Sequence, residues 1–432
     1  MKQPLKPKPS AKRAGATPAR LGMSLSHLVF LMAGMGVMTV VGVVLPSIGW
    51  VHVSLGSKPE AISSKLAAQS AAILHANKGP WGSLEYTRFA LEEPADYLPD
   101  STRQLVTVPW VFEKFTARQV EELFRSVKVT EAVRQRLLDP AHWQVSSGGV
   151  TVQPSMELLR DLGAPARQQI YAILDDTESN YVHRNPFRFR LDGFDEWFAN
   201  SELTDEHLDL LRSLTFTNLG GAICIVDLDV LQQTFTTNEY HRVFESLYSE
   251  PCLLMDLVVN SASDVEALAK YWGRGGREAT ILPVLRSLAR RPGGGSVNIA
   301  QLLPPFAQSR LYTFSPPTTN APTAGPDCFW TAMNFFNVHP DPGLSNFQYA
   351  LDVLNRDYSD ASGPRRFGDL LLVLDESRQT IHACVYVADD VVFTKNGADY
   401  LQPWTLMKIP DMLAHYATDQ RMTLATLRLR KT

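Results

Sequence analysis

Hydrophobic and polar positions divide the 432 residues into three stretches of different pattern. From Leu21 to Ser57 there is no Asp, Glu, Lys or Arg, and Leu28 to Leu45 reads LVFLMAGMGVMTVVGVVL. A helix crosses the hydrocarbon of a bilayer with about 20 apolar residues, and Leu25 to Trp50 supplies them. Pro46 falls near the far end, where a break is tolerated, and Trp50 suits the interface. The apolar run exceeds the roughly 7–15 residues of a signal-peptide core, and no small-x-small site follows it closely. The expectation is one uncleaved transmembrane helix within residues 21–53.

The second stretch alternates helical and strand-like periods. Residues 60–77 predict a helix ended by Gly79-Pro80. A helix over 116–127 is indicated by Phe115, Val120, Leu123, Phe124 and Val127, with Thr116 as its cap. Further helices are expected over 154–162, over 165–176 with Pro165 in the first turn, and over 203–214 behind Thr204. GAICIVDLDVL (221–231) and LLMDLVV (253–259) then read as buried strands, with helices at 237–248 and 263–272. Strand, helix, strand, helix suggests an α/β unit. The loop 273–277 lacks the ending of a phosphate-binding loop and is expected at the surface. Pro292–Gly295 and 316–326 read as connectors.

The third stretch is the most regular. Asp327 is a favoured N-cap, and the residues after it suit a helix that is apolar on most sides. Gly368-Asp369 opens LLLVL (370–374), the polar turn 375–379 follows, and TIHACVYV (380–387) is a second strand. There His382, Cys384 and Tyr386 share one face, and Ile381, Ala383, Val385 and Val387 the other. Asp389-Asp390 turns the chain into VVFTKNG (391–397).

Charge refines this picture. The formal net charge is −4, too balanced for a nucleic-acid binder, which needs clustered basic excess. Residues 1–20 nevertheless hold six basic side chains, and no acid occurs before Glu60. With Pro4, Pro7, Pro9 and Pro18 this tail reads as disordered, and its charge places it in the cytoplasm and residues 58–432 outside. The four cysteines show no CxxC spacing, so neither a zinc site nor a disulfide framework is indicated. Cys224 and Cys252 suit either a bridge or two buried thiols. His183, His207 and His241 stand singly, so no metal is expected, and no cofactor. Asp227 and Asp229 are expected to end a strand or line a surface.

One pair carries chemistry. A thiolate is a nucleophile, and Cys328 in the first turn of a capped helix meets the favourable end of the helix dipole. Its charge is opposed by neighbouring Asp327. Such a nucleophile needs an imidazole to take and return a proton. His382, in the middle of an apolar strand, needs polar partners, and Thr394, Lys395 and Asn396 on the return strand are near enough to supply them.

Asp327-Cys328, Gly368-Asp369-Leu370 and His382-Ala383-Cys384-Val385-Tyr386, in this order, resemble the NlpC-type papain-like cysteine peptidases, bacterial cell-wall hydrolases. The resemblance covers about residues 310–425. Phe329-Trp330 stands where the family usually has Ser-Gly, and Cys384 replaces a Gly. The resemblance implies an α+β fold whose C-terminal domain is papain-like, with the cysteine on a central helix packed on an antiparallel sheet. Cys328 would be the nucleophile and His382 the base, with Asn396 as the third residue and Thr394 as the other candidate. Tyr312 would be a pocket residue.

The expected organisation is a basic cytoplasmic tail (1–20), the anchor (21–53), a mixed helical and α/β region of unknown role (58–305) and the hydrolase domain (310–425). The implied function is a cysteine hydrolase at the outer side of the cytoplasmic membrane, cleaving peptide or amide bonds of peptidoglycan stem peptides. Its partners would be those peptides and the membrane, with no nucleic acid. The alternatives are an amidase or acyltransferase on another amide or thioester, and a non-catalytic envelope binding protein. A Cys328–Cys384 disulfide is a further expectation.

Overall fold

In the computed structural model, which describes residues 73–98, 105–317, 326–418 and 421–430, every strand pairing is antiparallel. The fold is α+β, with helices laid against antiparallel sheets. Among these residues no helix is long and apolar enough to cross a membrane. The expected tail and anchor lie outside the described residues.

Two long strands organise the chain. Ser83–Leu91 pairs along its whole length with Glu250–Val259, so the chain between them is an excursion that starts and ends at one place. That excursion has its own core, in which Trp110, Phe124, Tyr171, Phe189 and Leu231 are buried together. Thr116 closes a capping box on helix Ala117–Ser126, and Thr204 caps Asp205–Leu214. Pro165 lies in the first turn of Ala164–Asp175, where its missing N–H costs nothing.

Several local expectations change. Residues 74–75 are a short strand paired with Glu85 and Tyr86, because the Gly79–Gly82 turn folds them back as a hairpin. Only Ile223–Ile225 of 221–231 is a strand, and Leu228–Thr234 is a helix. Asp227 turns inward there: its carboxylate accepts from Arg167 at 2.8 Å and from the Tyr171 hydroxyl at 2.8 Å. Asp229 is also buried. No parallel α/β unit forms, since Ile223–Ile225 and Glu250–Val259 belong to different sheets. The 273–277 loop is exposed at Gly275 and Gly276, as expected, and its arginines also clamp the fold: Arg277 donates to the carbonyls of Trp272, Leu302 and Leu303, and Arg274 to that of Phe367. Gly295, read as the end of a connector, begins the strand Gly295–Asn298, which pairs with Asp256–Val259.

The C-terminal part is a six-stranded antiparallel sheet in the order 358–360, 423–429, 370–374, 380–388, 391–395, 404–408. One face packs against helix Cys328–Met333, in a core that continues through Trp272, Leu285, Ile299 and Phe306. That core therefore crosses position 310, and residues 250–311 pack with the C-terminal sheet. The other face buries Leu371, Val373, Cys384 and Tyr386 against Met412 and Leu413 of helix Ile409–Tyr416.

Candidate active site

The cysteine helix begins at Cys328, and the Asp327 side chain accepts from the Trp330 main-chain N–H at 2.7 Å. An Asp there satisfies one of the donors that a helix start leaves open. The helix is buried on every side, and Trp330 and Trp404 hold it by donating their indole N–H to Asp341 O and to the Thr331 hydroxyl. The main-chain N–H groups of Ala383, Phe329 and Cys328 itself favour a thiolate at Cys328. Burial outweighs them and, with the Asp327 charge, pushes the thiol up to about 12.

His382 lies on strand Thr380–Ala388, beside an irregularity: Val373 pairs with His382 but Leu374 with Thr380, which leaves Ile381 as an extra residue. Such a bulge re-aims the neighbouring side chains. Ile381 consequently joins the core of Cys384 and Tyr386, not that of Ala383 and Val385 as strict alternation requires.

The imidazole is fully buried. Its Nε2 lies 2.9 Å from Thr394 Oγ1, and that hydroxyl donates to Asn396 Oδ1 at 3.4 Å. A hydroxyl that gives its hydrogen to Asn396 meets Nε2 as an acceptor, so the network assigns the proton to Nε2. Nδ1 then carries the lone pair, and it has no hydrogen-bond partner among the described residues. Burial, with His415 adding to it, pulls His382 down to about 3, so it is neutral at physiological pH.

Thr394 thus meets the imidazole directly, and Asn396 acts on it through Thr394. Asn396 also donates to Met407 Sδ at 3.6 Å. Tyr312 is engaged elsewhere. It has φ of 61°, stacks edge-on against Phe89, and donates its hydroxyl to Leu253 O. Burial raises the pKa of Cys384, and Cys328 is close enough to add to that rise. All four cysteines are free thiols, so neither the Cys328–Cys384 bridge nor one between Cys224 and Cys252 is present. Cys328 and His382 are not hydrogen-bonded to each other. The cysteine helix packs on the Ala383 face of the strand, while the imidazole is covered by helix Ile409–Tyr416.

No family model, curated protein or solved structure matches this chain.

Three further residues complete the site, and of these only Tyr416 carried no signal in the sequence. Tyr416 stacks on His382 across 34 positions of chain, and its buried hydroxyl has no partner among the described residues. Lys395 is buried, donates to the carbonyls of Gly397 and Asp399, and is lowered by burial to about 8. Asp369 is a structural anchor: it accepts from Arg428 Nε and Nη2 at 2.9 and 2.6 Å and from Arg366 N at 2.8 Å. Gly368 before it has φ of 83°, and a Cβ there would fall 2.1 Å from the Phe336 ring. These contacts give the Gly-Asp pair of the resemblance a structural purpose.

Proposed function

We propose that the C-terminal part of this chain is a papain-like cysteine hydrolase that cleaves peptide or amide bonds of peptidoglycan stem peptides. Residues 21–53 would hold it at the outer side of the cytoplasmic membrane. The observation that supports this most is the polarised chain His382–Thr394–Asn396, which leaves Nδ1 as a free base while the next residue's N–H faces the sulfur of Cys328. In the reaction Cys328 Sγ attacks the carbonyl carbon as Nδ1 takes the thiol proton. Main-chain N–H groups at the helix start stabilise the oxyanion. His382 returns the proton to the leaving amine, and water then releases the acyl group from sulfur.

Both reacting groups are buried and neutral, so the cycle begins with a movement that uncovers them and brings Sγ to Nδ1. A second reading rests on the same burial: a domain of this fold that binds wall peptides and performs no chemistry. The two are separated by incubating the full chain in detergent, wild type and Cys328→Ala, with peptidoglycan fragments under reducing conditions and weighing the products by mass spectrometry. Cleavage by the wild type alone supports the hydrolase. No cleavage, with fragments still retained equally by both proteins, supports the binding domain.

A further inference from the structure

A cavity of about 230 Å³ lies where three segments meet: strand Ser83–Leu91, residues 188–200 of the excursion, and helix Ile409–Tyr416. Junctions between separately cored parts of a chain are common places for small ligands. Phe89 and Trp197 give this cavity aromatic surface, and its polar groups are mostly guanidinium and carboxylate.

Those charges are unevenly partnered. Arg88 is paired with Glu196 and with Asp411, the latter at 2.6 Å. Arg190 lies 2.7 Å from Asp192, 3.0 Å from Glu196 and 3.5 Å from Asp411. These two guanidiniums are therefore partnered by three carboxylates. Arg188 is the third cation on the cavity, and it has no carboxylate partner among the described residues. One of its terminal nitrogens donates to Arg184 O at 2.9 Å, while its buried Nε has no partner among the described residues. A guanidinium on a cavity wall with no carboxylate partner is matched in charge and geometry by a carboxylate.

We propose that this cavity binds a small organic monocarboxylate with an apolar body: the carboxylate on Arg188, the body against Phe89 and Trp197. The assignment does not depend on any chemistry at Cys328. Two sources share this chemistry, a free carboxylic acid and the C-terminal residue of a short peptide.

The test is calorimetric titration of the full chain in detergent at pH 7 with 3-phenylpropanoate and with N-acetylphenylalanine. N-acetylphenylalanine amide, which lacks the anion, is the control. Saturable binding of at least one acid is expected below about 10 mM, weakened at least about tenfold for the amide and in Arg188→Met. Tighter binding of N-acetylphenylalanine assigns the site to a peptide terminus, and equal or tighter binding of 3-phenylpropanoate to a free acid. Ala199→Phe, which fills the cavity from another wall and leaves every charge in place, is expected to abolish binding with an unchanged circular dichroism spectrum. Absence of saturable binding overturns the proposal. So does equal binding of the amide, or undiminished binding by folded Ala199→Phe.

Discussion

Tyr416 lies almost flat on His382, with ring centroids 4.5 Å apart and planes 23° from parallel. The last residue of one helix thus covers the imidazole that the reaction would use. The strand that carries His382 cannot itself shield the ring on that side, so closure depends on how helix Ile409–Tyr416 docks.

Tyr416 also lies close enough to Cys328 for a thiolate there to oppose ionisation of its hydroxyl, so removing that cover is expected to change the reactivity of Cys328. In the wild type the thiol is buried and pushed up to about 12, so iodoacetamide at pH 7.5 modifies it slowly. Tyr416→Ala is expected to speed its alkylation at least about tenfold, and Tyr416→Phe, which keeps the ring, to leave it unchanged. Mass spectrometry of the peptide holding Cys328 separates it from the other three thiols. Equal rates in all three proteins would show that Tyr416 does not guard the site.

Thr394 and Asn396 are distinguishable by their distance from the imidazole. Thr394→Val keeps the shape and leaves Nε2 buried without a partner, at a cost of about 1–3 kcal/mol in urea unfolding. Asn396→Ala removes only the acceptor behind Thr394 and is expected to cost less. In the peptidoglycan assay the same order should hold for lost turnover. A larger effect of Asn396→Ala would reassign the third residue.

Acid should destabilise the fold through two histidines. Burial holds His382 down to about 3 and His183 down to about 4, against 6.5 for each when exposed. The unfolded chain gains protons below about pH 6.5 that the folded chain refuses. Their contribution is therefore complete above that pH and is lost as pH falls toward 4 and then 3. His382→Gln should flatten this part of the curve in denaturation measured from pH 7 to 4. An unchanged slope would mean that His382 is not held neutral.

Glu93 acts in the opposite direction. Burial, with the charges of Glu250 and Glu92, raises it to about 9 from 4.5. The folded chain keeps a proton that the unfolded chain releases, so this contribution is present below about pH 4.5 and is lost as pH rises toward 9. Between about pH 4.5 and 6.5 it opposes the two histidines. Glu93→Gln should gain stability over wild type at pH 8 and little at pH 4.5. A gain that does not vary with pH would refute the assignment.

Asp369 offers the strongest stability test. It is fully buried beneath Arg428, Arg274 and the Arg366 N–H. Asp369→Asn removes the charge from a buried ion pair and should destabilise the chain by about 3–5 kcal/mol. Arg428→Met with Asp369→Leu should recover part of that loss, since both charges go together. Failure of the double variant to recover any stability would mean that the pair is not the source of the loss.

The helix caps at Thr116, Thr204 and Asp327, and strands 370–374, 380–388 and 391–395, were legible from residue order. Each follows from interactions among residues a few positions apart: a side chain closing a helix start, or alternation across a pleat. The candidate thiol and imidazole were legible for the same reason, because a capped cysteine and a histidine inside an apolar strand are local anomalies. The direct role of Thr394 was not, since Thr394 and Asn396 share a face and only the position of the imidazole separates them. Ile381 changed sides because a bulge depends on the partner strand's register. Residues 221–231 ended as a short strand and a helix because Asp227 is drawn inward to Arg167, 60 positions away. The division between the two cores, the cover of Tyr416 and the lack of a carboxylate beside Arg188 among the described residues were likewise decided only by tertiary structure. Burial and long-range pairing depend on which surfaces meet, and nothing within a few residues of these positions encodes that.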